Sequence, residues 1–197
     1  TVALQSAISG IMIGMIYTLI ALGFVLIYKS SGILNFAQGE LLLLGSFVCW
    51  SSLAQLHLPI VVSFLVVFIY AIVLGMLIER LCLRPMIGQS IIAIVMLTIG
   101  LSQILRAVVM LIWGTSIRSL PEELIPTEVL RFGDFFIPME QLWSFIIAVV
   151  LVVALVLAFK YTKIGLAMRA SAEDQPAAQA TGVRVTTIFA QSWVISA

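Results

Sequence analysis

Charged residues are scarce in this chain, and their scarcity excludes a water-soluble globular protein. Only 10% of the 197 residues are charged, while 62% are hydrophobic. Soluble domains carry about 25% charged residues, because their whole surface faces water. The composition therefore predicts an all-α, polytopic bundle of transmembrane helices.

Residues that perform chemistry are equally scarce. Cys49 and Cys82 lie in or beside apolar stretches without a CxxC motif, and His57 has no partner at ligand spacing. The sequence therefore indicates neither a metal site nor a disulfide. No nucleophile, base and orienting group occur together, so we expect no enzyme and no cofactor in this chain. The GxxxxGK(S/T) phosphate loop that binds ATP is also missing.

Five apolar stretches are long enough to cross a bilayer, which takes about 20 helical residues. They are Ala3–Tyr28, Phe36–Leu56, Ile60–Ile78, Ile91–Trp113 and Leu142–Phe159. A sixth stretch begins near Ile188 and is cut off at Ala197. We therefore expect residues 1–197 to form a single, incomplete transmembrane domain that further helices complete.

The basic residues predict the orientation, because lysine and arginine in short loops stay on the cytoplasmic side. The loops after the first, third and fifth stretches carry Lys29, Arg80, Arg84, Lys160, Lys163, Arg169 and Arg184. The opposite side carries only Arg118 and Arg131. The N-terminus is thus expected outside, with an ordered extracytoplasmic loop at 114–141 and a cytoplasmic loop at 160–187.

A polar break, residues 29–40 (KSSGILNFAQGE), interrupts the apolar sequence before Leu41. Non-helical backbone at membrane depth requires protein or a water-filled cavity around it, so the break predicts an entry or re-entrant turn. Glu40 either faces a cavity as a functional residue or begins the second span, where the helix dipole favours an acid. The candidate substrate path consists of Asn35, Phe36, Gln38, Gly39 and Glu40.

Arg106 is the other charge within an apolar stretch. It lies about 10 Å of helix before Trp113, a distance that a long arginine side chain can largely span. We expect it to snorkel to the outer interface rather than to contact substrate.

A second polar segment, the knob (residues 163–183, KIGLAMRASAEDQPAAQATGV), separates the last two apolar stretches. Asp174 is a suitable N-cap, Pro176 suits a first helical turn, and Gly182 can adopt a left-handed closing conformation. A short helix over Gln175–Thr181 is therefore predicted, with Ala177, Ala178 and Ala180 exposed. Its small side chains favour docking in a protein groove over lying on lipid, which requires bulky apolar residues.

The knob resembles the cytoplasmic coupling loop of ABC importer permeases in Glu173, Asp174, Ala177, Ala178 and Gly182. More widely, the chain resembles the branched-chain amino acid ABC transporter permeases, the LivH-type inner-membrane subunits. The matching segments are GMIYTLIALGFVLIY (14–28), ILNFAQGELLLLGSF (33–47), Glu79-Arg80 with Arg84-Pro85, TIGLS (98–102) and GLAMRASAEDQPAAQATGV (165–183). Family members commonly have NFAHGE, and here Gln38 replaces the histidine.

The resemblance implies a multi-pass permease of a bacterial or archaeal inner membrane that imports branched-chain or hydrophobic amino acids. Its implied partners are a second homologous permease, two cytoplasmic subunits that bind ATP and Mg²⁺, and an extracytoplasmic substrate-binding protein. Related permeases carry amides or urea, so those substrates remain alternatives. An ion-coupled secondary transporter with a midplane site, or a scaffold acting through the outer loop, are further alternatives from the residues alone.

Overall fold

The computed structural model describes residues 2–32, 34–86, 89–116, 118, 129–132, 135–182 and 184–196. Over these ranges the backbone is mainly helical. The helices are α1 (Val2–Ser31), α2 (Gln38–Trp50), α3 (Ile60–Ile78), α4 (Ile91–Trp113), α5 (Met139–Tyr161), α6 (Lys163–Glu173), α7 (Gln175–Ala180) and α8 (Val185–Ser196). Two short strands, β1 (Val129–Phe132) and β2 (Phe135–Pro138), lie between α4 and α5.

Among the described residues, four helices are long and apolar enough to cross a membrane. They are Ala3–Lys29, Ile60–Met86, Ile91–Trp113 and Met139–Tyr161. They contain the first, third, fourth and fifth predicted stretches, and the helix that contains the third stretch extends eight residues beyond its predicted end at Ile78. The predicted helical membrane fold is confirmed at this level.

The second predicted stretch has a different local structure. Its α-helix, α2, has 13 residues and continues as a π-helical turn over Ser51–Gln55. The helix begins at Gln38 rather than at Phe36, because the Asn35 side-chain oxygen accepts a hydrogen bond from the Ala37 backbone N–H at 2.9 Å. Thirteen residues are fewer than the roughly 20 that a spanning helix requires.

The chain divides into two compact units, and the first comprises residues 1–22 and 121–165. In this unit β1 and β2 form an antiparallel hairpin in which Val129 pairs with Pro138. The Gln5 amide accepts from the Phe136 backbone N–H at 3.2 Å and donates to the Phe136 carbonyl. The outer loop predicted at 114–141 therefore contains a hairpin that the sequence pattern did not predict, while residues 117, 119–128 and 133–134 lie outside the described ranges.

The second unit comprises residues 23–120 and 166–197. In it α2 packs against α3 and α4, and α8 packs against α3 and α7. Its core contains Ile27, Ala37, Leu41, Leu44, Ile78, Leu101, Leu105, Val109 and Trp193. Many large apolar side chains face outward instead, such as Leu111 at 86% exposure. This distribution suits a surface that lipid or other membrane helices cover.

Candidate functional site

The polar break folds into a buried hydrogen-bond network. Asn35 is fully buried, and its amide donates to Gln38 Oε1 at 3.3 Å. Gln38 Nε2 donates in turn to the Ser196 carbonyl of α8 at 2.7 Å. Ser196 Oγ lies 3.0 Å from Gln38 Oε1 and 3.0 Å from the Gly23 carbonyl oxygen, so the Ser196 hydroxyl can donate a hydrogen bond to either acceptor. The network joins α1, the start of α2 and α8.

Gly23 makes this close approach possible. A Cβ atom at that position would lie 2.8 Å from Gln38 Nε2 and 3.2 Å from Ser196 Oγ. Because a helix rises 1.5 Å per residue, Gly23 lies about 12 Å before the α1 end at Ser31. After Ser31 the chain therefore turns back alongside α1 before α2 begins. The predicted turn between α1 and α2 is thus present.

Glu40 and Arg106 form an ion pair between α2 and α4. Arg106 donates to Glu40 Oε1 from Nη2 at 2.6 Å and from Nε at 3.0 Å. The Glu40 side chain is 11% exposed and that of Arg106 is 53% exposed. Glu40 Oε2 is buried and has no hydrogen-bond partner among the described residues. The interpretation that Arg106 snorkels to the outer interface is therefore wrong, because its guanidinium is held by Glu40.

The ion pair joins the first turn of α2 to the interior of α4. The Trp113 indole N–H donates to Ser51 Oγ at 2.6 Å, and this contact joins the same two helices nearer their C-terminal ends. Along each chain segment the ion pair comes first and the Trp113–Ser51 contact comes later, so α2 and α4 run parallel. At 1.5 Å per residue, Glu40 lies about 16 Å before Ser51 and Arg106 about 10 Å before Trp113. Glu40 lies in the first turn of α2, as expected from the interpretation that it begins the second span.

The predicted path residues separate into two groups. Asn35, Gln38 and Glu40 are buried in the described part of the chain, whereas Phe36 and Gly39 are exposed. The contacts with Arg106 and Ser196 were not predicted from the sequence. One indication was available for Arg106: it and Glu40 carry opposite charges within apolar stretches, and buried charges are almost always paired. Ser196 gave no comparable indication.

The knob begins at a sharp junction between α5 and α6. Thr162 alone separates the two helices, and its hydroxyl accepts from the Gly165 N–H at 3.1 Å. A Cβ atom on Gly165 would lie 2.1 Å from the Phe159 carbonyl oxygen, closer than any real contact. Gly165 is therefore required by the junction, a role that the sequence interpretation missed.

The short helix α7 has the predicted ends. Asp174 Oδ1 accepts from the Ala177 N–H at 3.0 Å, and Pro176 lies in the first turn. Gly182 has φ +90° and follows the helix, in the conformation that glycine adopts most easily. Ala177 is exposed, but Ala178 is 4% exposed because α7 packs against α8. The expectation that Ala178 is exposed is therefore wrong.

Glu173 and Asp174 lie on the exposed surface of the knob. A cleft of about 470 Å³ beside α6 is lined by Lys29, Leu166, Arg169, Ala170 and Glu173. The knob thus presents charged groups, in the cleft, and a narrow helix, α7.

Comparison with known proteins identifies the family. The family model described as "Branched-chain amino acid transport system / permease component" matches residues 6–197. The chain belongs to this permease family. Membership confirms the resemblance noted in the sequence and makes the chain an integral membrane transport component rather than a catalytic subunit.

Individual relatives of this permease agree with the family match. The chain is 31% identical over 205 residues to the high-affinity branched-chain amino acid transport system permease protein LivH of Salmonella typhimurium, and 29% identical to LivH of Escherichia coli K12. It is 28% identical over 207 residues to BraD of Pseudomonas aeruginosa. Each match covers 98% of this chain and 67% of the relative. No solved structure matches significantly.

Proposed function

We propose that this chain is the membrane-spanning permease subunit of an ATP-driven ABC importer for branched-chain amino acids. The family match and the names of the relatives support this function and substrate. The chain has no phosphate loop of its own, so the energy comes from two cytoplasmic ATPase subunits. A second homologous permease completes the membrane core, and an extracytoplasmic binding protein delivers the substrate.

The observation that carries the coupling role is the geometry of α7. A six-residue helix is marginal alone, yet this one is capped at Asp174 and closed at Gly182. Its outer face presents Ala177 and Ala180, side chains small enough to enter a groove. Closure of the ATPase dimer would move such a rigid segment and shift the permease between inward-open and outward-open states. The resulting change in the free-energy difference between the two states equals the difference between the free energies with which the ATPase binds them.

The membrane arrangement follows from the same proposal. In addition to the four long helices, α2 and its π-helical turn together cross the membrane over Gln38–Gln55. α8 begins a further span. The re-entrant start of α2 explains why this span is shorter than the others. The N-terminus and the hairpin then lie outside, where the binding protein docks, and the knob lies in the cytoplasm. The residues of the polar break, from Asn35 to Glu40, contribute to the substrate path.

A bulky and a small substitution at one position test this function. The full-length permease is reconstituted with its partner subunits, and ATP hydrolysis and leucine uptake are measured with the leucine-loaded binding protein. Ala177→Trp should lower both rates roughly tenfold or more, since a tenfold effect corresponds to a loss of only about 1.4 kcal/mol at the ATPase contact. The control, Ala177→Ser, keeps a small side chain at this exposed position and should keep both rates within about twofold, as surface changes usually do. Equal rates in the two variants, or no stimulation of the wild type by the loaded binding protein, would contradict the proposal.

A further inference from the structure

We propose that Arg106 binds the carboxylate of the transported amino acid, and that Glu40 is a positioning residue that orients the Arg106 guanidinium. This inference rests on the proposed function, because it assigns a substrate contact within that transport path. It also distinguishes amino acids from the amide and urea substrates that remained open, because those molecules lack the carboxylate.

The donors of Arg106 are only partly used. Its Nε and Nη2 atoms both bond to Glu40 Oε1, at 3.0 and 2.6 Å. A guanidinium carries five N–H donors in a rigid plane, so donors on the Nη1 and Nη2 edge remain for a second acceptor. The Arg106 side chain is 53% exposed, so a molecule that is not part of the described chain can reach this edge. A carboxylate is the acceptor whose two oxygens match that edge.

The surface around Arg106 suits a polar path better than a lipid contact. Gln103 is exposed and lies one helical turn before Arg106, so both polar side chains occupy one face of α4. Gly100 and Ala107 are exposed beside them and leave room for a small molecule. Arginine and glutamine within a spanning helix are costly against lipid and normally face the bundle interior or a water-filled cavity.

Glu40 serves the site by fixing and neutralising Arg106. Its carboxylate is buried, with Arg106 its one hydrogen-bond partner among the described residues. The pair therefore carries no net charge, and an amino-acid zwitterion adds none. A free guanidinium at this depth would instead bind anions in general or move toward an interface. Removing one member leaves an uncompensated charge, so the informative variant removes both charges together.

The first test separates substrate binding from structural pairing. The double variant Glu40→Gln/Arg106→Gln, in the full-length transporter, should assemble with its partner subunits, which co-purification measures. Its leucine uptake should fall roughly tenfold or more, as expected for the loss of about 1.4 kcal/mol of substrate contact. The control Ser51→Ala removes the hydrogen bond between Trp113 of α4 and the π-helical turn that follows α2, and it should retain uptake. Wild-type uptake by the double variant would overturn the inference.

If the double variant does not assemble, Arg106→Lys decides by the same assay. It keeps the charge and the pairing with Glu40 but loses the bidentate edge, so its uptake should also fall roughly tenfold. Normal uptake by Arg106→Lys would overturn the proposal. In either case the wild-type ATP hydrolysis tests the proposed function separately. A wild type that is not stimulated contradicts the importer, whereas a stimulated wild type with a fully active variant contradicts only the role of Arg106.

A second measurement asks whether the carboxylate itself is recognised. Gln103→Cys is introduced with Cys49 and Cys82 changed to serine, and its reaction with a water-soluble thiol reagent is followed in the assembled transporter. Leucine should slow the reaction, leucinamide should not, and the further change Arg106→Lys should abolish the protection by leucine. An unreactive thiol in the Gln103→Cys variant would place this face against lipid and overturn the proposal. Equal protection by leucine and leucinamide would also overturn it.

Discussion

The polar break and the knob both interrupt an apolar chain with polar residues, yet they are held in place in opposite ways. The knob depends on neighbours in sequence: Asp174 caps α7 three residues away, and Gly165 fits against the preceding helix. The break depends on distant elements, since Glu40 meets Arg106 at a separation of 66 residues and Gln38 meets Ser196 at 158. The knob is mostly surface, whereas the break buries its polar side chains Asn35, Gln38 and Glu40.

This difference matches the two tasks of a permease. A surface that receives movement from a partner has to keep its shape alone, and local caps and turns provide that. A path through the membrane has to change shape between states, and contacts between separate helices can be exchanged as the helices move. Substitutions in the knob should therefore act through local geometry, and those in the break through the arrangement of α1, α2, α4 and α8.

The largest expected effect is at the start of the knob. Gly165→Ala places a Cβ atom 2.1 Å from the Phe159 carbonyl oxygen, which the backbone can relieve only by opening the α5–α6 junction. We expect a loss of about 3 kcal/mol or more in the free energy of unfolding in mild detergent. The matched control, Gly45→Ala, lies in α2 with nothing within 4 Å of its added Cβ and should be tolerated. Equal stability of the two variants would show that the junction is not rigid.

An intermediate effect is expected in the break. Gln38→Leu removes the hydrogen bonds to Ser196 and Asn35 and leaves buried polar groups unpaired, which costs about 2 kcal/mol. Gln38→His is the matched variant, because a neutral imidazole donates from one nitrogen and accepts at the other. We expect its thermal stability to lie close to wild type, and the leucine variant clearly below. If both variants melt together, the network contributes nothing specific.

The smallest effect is expected at the N-cap of α7. Asp174→Ala removes the acceptor for the Ala177 N–H and destabilises the helix by about 1 kcal/mol. Asp174→Asn keeps a capping oxygen and serves as the control. Amide hydrogen exchange at residues 175–180 measures the effect locally, and it should accelerate in the alanine variant only. Unchanged exchange in Asp174→Ala would mean that packing against α8, rather than the cap, holds α7.

The same contrast explains what could be predicted from the sequence. The third and fourth predicted spans match α3 and α4 at both ends, and α7 was placed within a residue, because hydropathy, caps and glycine act over a few residues. Tertiary packing, by contrast, determines the partner of Glu40, the burial of Ala178 and the hydrogen bonds between Gln5 and the hairpin. Residues of the break could be named as candidates because they are polar within an apolar chain. Which of them meet could be known only from the fold.

The most direct measurement of the coupling role is site-specific photocrosslinking from α7. A photoreactive amino acid replaces Ala177 in the assembled full-length transporter, and the covalent products are identified after irradiation. We expect an adduct with the cytoplasmic ATPase subunit whose yield changes when ATP is bound. Adducts only with lipid or with the extracytoplasmic binding protein would contradict it.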